Sequence, residues 1–273
     1  MGKSIITMEN KTHLSFLITH YNRFENLQDC VAAIKKLDLD FEYEIVVSDD
    51  GSTEDIQEKL KTIEVNHVVL SDYNKGLAHN INKGIRTCKG NYILYCQDDF
   101  ILTSDINKII KESIFVLASK KVDLVRFRAN YFFKELTEIS ENIKLIPKFS
   151  FKNFLLNAFQ YSDNVFIVRS NFFSEFGFYL ENTSGDYGET EYAIRIFKSK
   201  ARIGIVSNGY VVDVEGGKSV MRENSKQLVK GKKKFYLRKF IRAIRLHLEY
   251  LFYNKNRRGL LSYKNRFSKR RLF

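Results

Sequence analysis

A chain of 273 residues, 44% hydrophobic and 14% aromatic, is long enough to bury one large core, and its single proline and lack of a Gly/Ser-rich stretch exclude modules strung on a flexible tether. The net charge of +13 is carried by one end: from Lys226 onward 17 Lys and Arg face a single acid, Glu249, while residues 1–225 hold 28 basic and 31 acidic residues. A slightly acidic globular domain, 1–225, and a basic tail, 226–273, therefore need separate explanations.

The apolar run "LSFLI" at residues 14–18 predicts a strand buried on both faces. A polar turn, "THYNR", precedes a helical pattern in "LQDCVAAIKKL", with Leu27, Val31 and Ile34 on one face. "YEIVVS" reads as a second buried strand that ends in "DDGST", a loop suited to a turn and a helix cap. "IQEKLKTI" predicts a short helix, "NHVVLS" a third strand, "LAHNINKGIRTC" a helix and "YILYC" a fourth strand. Strands alternating with helices at this spacing predict an α/β protein with a mostly parallel, doubly wound sheet, in which ligands bind beyond the carboxyl ends of the strands.

Three polar clusters, "THYNR", "SDDGS" and "QDD", each follow a predicted strand and so converge on one rim. No G-x-G-x-x-G follows the first strand and no G-x-x-x-x-G-K-[ST] occurs, which excludes the dinucleotide fingerprint and the P-loop. Adjacent carboxylates repel each other, and burying them unpartnered costs several kcal/mol or more. The pair Asp98 and Asp99 therefore either sits in solvent at a strand end or meets a positive charge; three polar clusters on one rim favour the second, and a divalent cation that bridges to phosphate oxygens supplies it with one or two carboxylates. The three cysteines lack CxxC or Cys/His spacing, which predicts inert, reduced thiols in a cytoplasmic protein.

In this order and spacing, "FLITHYNR", "EIVVSDDGSTED", "NKGLAHNINKGIRTCKGNYILYCQDD" and "GDYGETEYAIRI" resemble the GT-A fold, family 2 glycosyltransferases of bacterial surface-polysaccharide type, over roughly residues 13–217. The resemblance implies that Thr19 and Tyr21 line a nucleotide pocket, that Asp49 bonds the base with Asp50 nearby, and that Lys75, Gly76 and Asn80 lie near base and phosphates. It implies Asp99 as ligand of Mn²⁺ or Mg²⁺ on the diphosphate, with Asp98 reaching the ribose or the metal; Gln97 stands where the family motif often has its first Asp. It implies Glu189 as the base that takes the acceptor's proton, with Arg195 as the arginine of that motif and Glu191 and Asp186 as the nearest competitors. Asn164 and Arg169 are expected near acceptor or phosphate. "VDVEGGKS" supplies Asp213 and Glu215 but no histidine where many members have one, and His20 and His79 fit structural or pocket-lining places. The implied activity is transfer of a sugar from a UDP-linked donor to a hydroxyl of a lipid-linked or cell-surface glycan precursor, with inversion.

In the tail, Phe240, Ile244, Leu248 and Leu251 recur at helical spacing among Arg238, Lys239, Arg242 and Arg245, the pattern of a basic amphipathic helix that meets an anionic membrane surface or packs on the domain. With no stretch near the ~20 apolar residues that span a bilayer, the expectation is a protein peripheral to the inner face of the membrane. A catalytically silent GT-A-like protein and a tail-driven nucleic-acid binder are the alternatives; the charge suits the latter, but no reading motif accompanies it.

Overall fold

The computed structural model describes residues 13–128, 132–183, 185–206, 209–213, 232–258 and 261–262. Its centre is a nine-stranded sheet in the order β3-β2-β1-β4-β9-β6-β10-β8-β7. The strands are β1 (His13–His20), β2 (Glu42–Asp49), β3 (His67–Val69), β4 (Tyr92–Gln97), β6 (Leu124–Arg126), β7 (Thr137–Glu138), β8 (Ile143–Ile146), β9 (Phe166–Arg169) and β10 (Ile203–Val206). The four strands expected from the apolar runs, β1 to β4, pair in parallel. Beyond them β9 runs antiparallel to both β4 and β6, and β8 antiparallel to β10 and β7, so seven of the nine strands point one way.

Alternation along the strands divides the core in two. Leu14, Phe16 and Ile18 of β1, Ile45 and Val47 of β2, and Leu94 and Cys96 of β4 face α1 (Phe24–Lys35), α2 (Glu54–Leu60) and α4 (Ile106–Ala118). Leu17, Val46, Ile93 and Tyr95 face α3 (Leu77–Thr87), α5 (Phe172–Phe176) and α6 (Gly185–Lys198). Both faces of the sheet are thus covered, which is why the central strands read as nearly continuous apolar runs rather than alternating ones. Because β1 lies between β2 and β4, the chain first winds one way and then the other, leaving a crevice beyond the carboxyl ends of β1 and β4.

A second, two-stranded sheet pairs β5 (Phe100–Leu102), directly after Asp99, with β11 (Val211–Asp213). It brings the segment after β10 to the same rim. Beyond β11, Glu215 lies outside the described residues. The tail forms α7 (Lys232–Leu251), which packs Leu246 against Ile194 and Phe197 of α6 and Ala158 of the 3₁₀ turn Asn157–Phe159. Arg257–Arg258 and Leu261–Ser262 form a small hairpin, β12 and β13. Cys30, Cys88 and Cys96 are free thiols. Among the described residues no helix is long and apolar enough to cross a membrane.

Candidate active site

The three polar clusters meet because the ends of β1, β2 and β4 are in register. His20 pairs with Asp49, and Thr19 with Gln97. One step further, Asp50 N–H donates to His20 O at 3.0 Å and Asp98 N–H to Thr19 O at 3.1 Å, so two acids straddle the end of β1. The loops are then stitched together. Asn22 adopts a left-handed φ of 56°, which asparagine tolerates better than most residues. Its N–H donates to Ser52 Oγ at 2.8 Å and its Oδ1 accepts Thr53 N–H at 2.9 Å.

That reversal delivers Arg23 to the acidic pair. Its guanidinium spans both carboxylates, 2.5 Å from Asp98 Oδ1 and 3.0 Å from Asp99 Oδ2. Asp98 is fully buried and its other oxygen meets His20 Nδ1 at 2.8 Å and Tyr21 N–H at 3.4 Å. The positive charge demanded by two adjacent carboxylates is therefore supplied in part from within the chain. Burial pushes the Asp99 carboxyl above its usual range, offset in part by Arg23, and its Oδ1 is buried with no hydrogen-bond partner. Among the described residues no group of three His, Cys, Asp or Glu forms a complete metal cage. A cation that takes most of its ligands from phosphate and water needs no such cage, and the open Asp99 oxygen fits one.

On the β2 side, Asp49 turns inward. It accepts from Gly51 N–H at 3.1 Å, Ser52 N–H at 2.9 Å and Gln57 Nε2 at 3.2 Å, and from the Ser52 hydroxyl. Gly51 has φ 72°, and a Cβ there would lie 2.2 Å from the Tyr73 carbonyl carbon, so only glycine fits this turn. Asp50 accepts the N–H groups of Lys75 and Gly76, at 2.9 and 3.0 Å, at the start of α3. Burial raises its carboxyl to about 6 against those bonds. Lys83 donates to Asp49 O at 2.6 Å and Ser71 Oγ at 2.7 Å, and burial lowers its ammonium to about 8.

The other expected residues fall as follows. Thr19 is buried with its hydroxyl 3.1 Å from Tyr95 Oη, while the Tyr21 ring is exposed on the rim. Asn80 donates to Ser48 O at 2.8 Å and His20 O at 3.4 Å and accepts from Ser48, so its amide ties the ends of β1 and β2 together. Lys75 contributes its backbone to Asp50 and holds its ammonium 5.0 Å from the Tyr73 ring. Gln97 donates to Asp163 O at 3.3 Å, and Asn164 donates to Ser162 Oγ at 2.7 Å.

Across the crevice stands α6. Glu189 accepts Asp163 N–H at 3.4 Å and lines a narrow cleft with Leu77, Ala78, Tyr179 and Thr183. Glu191 is fully buried, bridged by Arg195 Nε and Nη2 at 3.0 Å each and by the Tyr253 hydroxyl. Arg195 also donates to Phe176 O and Phe178 O and lies over the Tyr192 ring, which makes it a strut between α5 and α6. The side chain of Asp186 lies outside the described residues. Asp213 is gripped by Arg128 at 2.6 and 2.8 Å, and Arg128 stacks over Phe100.

One expectation is corrected. Arg169 does not approach the rim: because β9 runs antiparallel to β4, Arg169 pairs with Tyr92 at the amino end of β4. There it holds Asp123, Leu117 O and Val122 O. Arg23 and Lys83 were not singled out in the sequence. Lys83 had a usable signal, lying three residues after Asn80 and hence on the same helical face; Arg23, in "HYNR", had none beyond proximity to a strand end.

A family model described as glycosyl transferase family 2 matches residues 15–174. Poly-β-1,6-N-acetyl-D-glucosamine synthase of Staphylococcus epidermidis is 30% identical over 95 residues, 34% of this chain and 23% of that protein. Chondroitin synthase of Escherichia coli is 34% identical over 84 residues, 29% of this chain and 12% of that protein. This chain thus aligns with less than a quarter of either curated relative. Among solved structures, S. aureus TarS 1–349 in complex with UDP-GlcNAc superposes with a TM-score of 0.58 over 90% of this chain and 68% of that one, at 16% identity. The common fold is GT-A.

Proposed function

The chain belongs to glycosyl transferase family 2, and on that premise we propose that it transfers a sugar from a UDP-linked donor to a hydroxyl of a lipid-linked or cell-surface glycan precursor, at the inner face of a membrane and with inversion. The observation that carries the reading is the convergence of Asp50, Asp98 and Asp99 around the carboxyl end of β1, with Glu189 across the crevice. UDP as the nucleotide is supported by the complex of the similar TarS with UDP-GlcNAc, and a glycan product by the names of the two synthases.

Enzymes of this family generally use a divalent cation. Here Asp99, through its free Oδ1, would hold it, with Asp98 behind it already engaged by Arg23 and His20; when bound it would offset the negative charge that gathers on the diphosphate as the leaving group departs. The exposed Tyr21 ring is available to stack on a base. Asp49 and Asn80 serve the nucleotide by fixing the two strand ends, and Asp50 by fixing the start of α3. Glu189 is the base: it takes the acceptor hydroxyl's proton as the oxygen attacks the anomeric carbon from the face opposite the departing diphosphate. Glu191 is excluded from that part because Arg195 and Tyr253 occupy its oxygens in full burial.

The test is a thermal-shift panel of UDP, GDP, CDP and UMP with and without Mn²⁺, on the wild type and on Asp99→Ala. Stabilisation by UDP that needs Mn²⁺ and disappears in the variant is expected, since a ligand bound only by the native state raises the melting temperature. Silence with every nucleotide would sink the reading.

A further inference from the structure

The tail helix has two apolar faces, and among the described residues the domain covers one of them. Leu246 and Tyr250 turn toward α6 and the 3₁₀ turn, and Ala243 on the same side is buried. Leu237, Ile241, Ile244, Leu248 and Leu251 form a second stripe with the same helical spacing, and all five are exposed. At 3.6 residues per turn the two stripes lie roughly 150° apart around the helix. Arg238, Arg242 and Arg245 run along one flank between them, all exposed.

The other flank is extended by a separate part of the chain. Phe154 stacks on His247 at 4.5 Å and meets Phe240 at 6.0 Å. Phe149 approaches His247 at 6.1 Å, and Phe151 packs edge-on against Phe149 at 5.2 Å. Phe151 is itself 86% exposed, next to the exposed Lys152. Two segments about 90 residues apart in sequence thus present one apolar, aromatic surface bordered by cations, and an exposed apolar patch of this kind on a folded domain marks an interaction site.

We propose that this surface, the outer stripe of α7 with Phe149 and Phe151, is the docking face for an anionic lipid bilayer. Leucine, isoleucine and phenylalanine enter the headgroup–acyl boundary while the arginines remain at headgroup level, the arrangement of an interfacial helix. Charge selects the occupant. The tail from Lys226 on carries 17 basic residues and one acid, so apposing two copies across a twofold axis would bring like charges together, whereas anionic headgroups attract them. Because the inner stripe grips α6, and Tyr253 just beyond the helix bonds Glu191, the docked helix is a rigid part of the enzyme and not a tether. The inference deepens the proposed function by giving the face on which a lipid-linked acceptor is met, and it rests on that reading for the acceptor alone.

The experiment is co-sedimentation of the full chain with phosphatidylcholine vesicles, with and without phosphatidylglycerol, for the wild type, Ile241→Glu/Leu248→Glu and Phe151→Ser. These side chains are solvent-exposed, so unchanged melting curves certify folding. The wild type is expected on phosphatidylglycerol vesicles, less so at high salt, with binding about tenfold or more weaker in the double variant and reduced in Phe151→Ser. No sedimentation of the wild type overturns the proposal, as does equal binding by the variants. A wild-type dimer that the double variant dissociates, without vesicle binding, also overturns it in favour of a second copy. The nucleotide thermal shift, run on the same samples, reports on the donor site independently, so failure of docking and failure of the glycosyltransferase reading remain separate results.

Discussion

Replacing Arg23 with glutamine tests the electrostatics of the acidic pair. In the native site the guanidinium is shared by Asp98, which has no exposure, and Asp99, whose carboxyl burial already pushes upward. Removing one partner of a buried pair costs about 3–5 kcal/mol. Arg23 retains 26% side-chain exposure and His20 stays on Asp98, so solvent and imidazole recover part of this and about 2–3 kcal/mol is expected. For a chain of this size that is a fall in melting temperature on the order of 5–10 °C. The pH dependence is diagnostic. A carboxyl whose folded pKa lies above its unfolded value loses stability as pH rises from the unfolded value through the folded one. Without Arg23, Asp99 is driven further up, so the deficit grows from about pH 4 toward neutrality, where both acids are charged in the unfolded chain. Mn²⁺ stabilises the variant more than the wild type, because it restores positive charge beside the same carboxylates. Urea unfolding across that range, with and without Mn²⁺, is the assay. A deficit that does not vary with pH, or equal stabilisation of both proteins by Mn²⁺, refutes the argument.

The two glutamates of α6 separate by phenotype. Glu189→Gln abolishes sugar transfer while leaving the UDP shift and melting temperature near wild type. Glu191→Gln instead destabilises by about 2–3 kcal/mol, since it leaves the Arg195 guanidinium, only 22% exposed, without its counter-charge; the reverse pattern in kinetics and calorimetry would exchange their roles. Asp50→Asn stabilises the protein against unfolding at pH 7 but not below about pH 4. The native carboxyl, raised to about 6, costs stability as pH climbs through that window and costs nothing once protonated in both states. Stability curves that coincide at both pH values would contradict the burial of Asp50. Gly51→Ala costs about 1–3 kcal/mol from its φ of 72° and the clash with the Tyr73 backbone, and weakens UDP binding with it; a melting curve like the wild type's would show that the turn relaxes.

Legible in the sequence was the local grammar: β1 to β4, the intervening helices, the tail helix α7, and the ends of strands where polar residues accumulate. Period and burial are written in consecutive residues, and a strand covered on both faces must read as an unbroken apolar run. The same logic located Asp98 and Asp99 and favoured a positive charge beside them over a solvated strand end. Which charge answers first depends on the folded chain, because Arg23 and Asp99 stand 76 residues apart and meet only when β1 and β4 lie side by side. It alone reversed β9 and carried Arg169 to the far edge, since alternation records which face a strand buries but not the direction in which it runs. It likewise set Glu189 and Glu191, two residues apart on one helix, in different surroundings: Glu191 is buried against Arg195 and Tyr253, and Glu189 lines the cleft. In the tail, periodicity predicted a helix with an apolar face; packing against α6 took one stripe and left another exposed, a division that no single-helix pattern encodes, because it depends on the surface the helix meets.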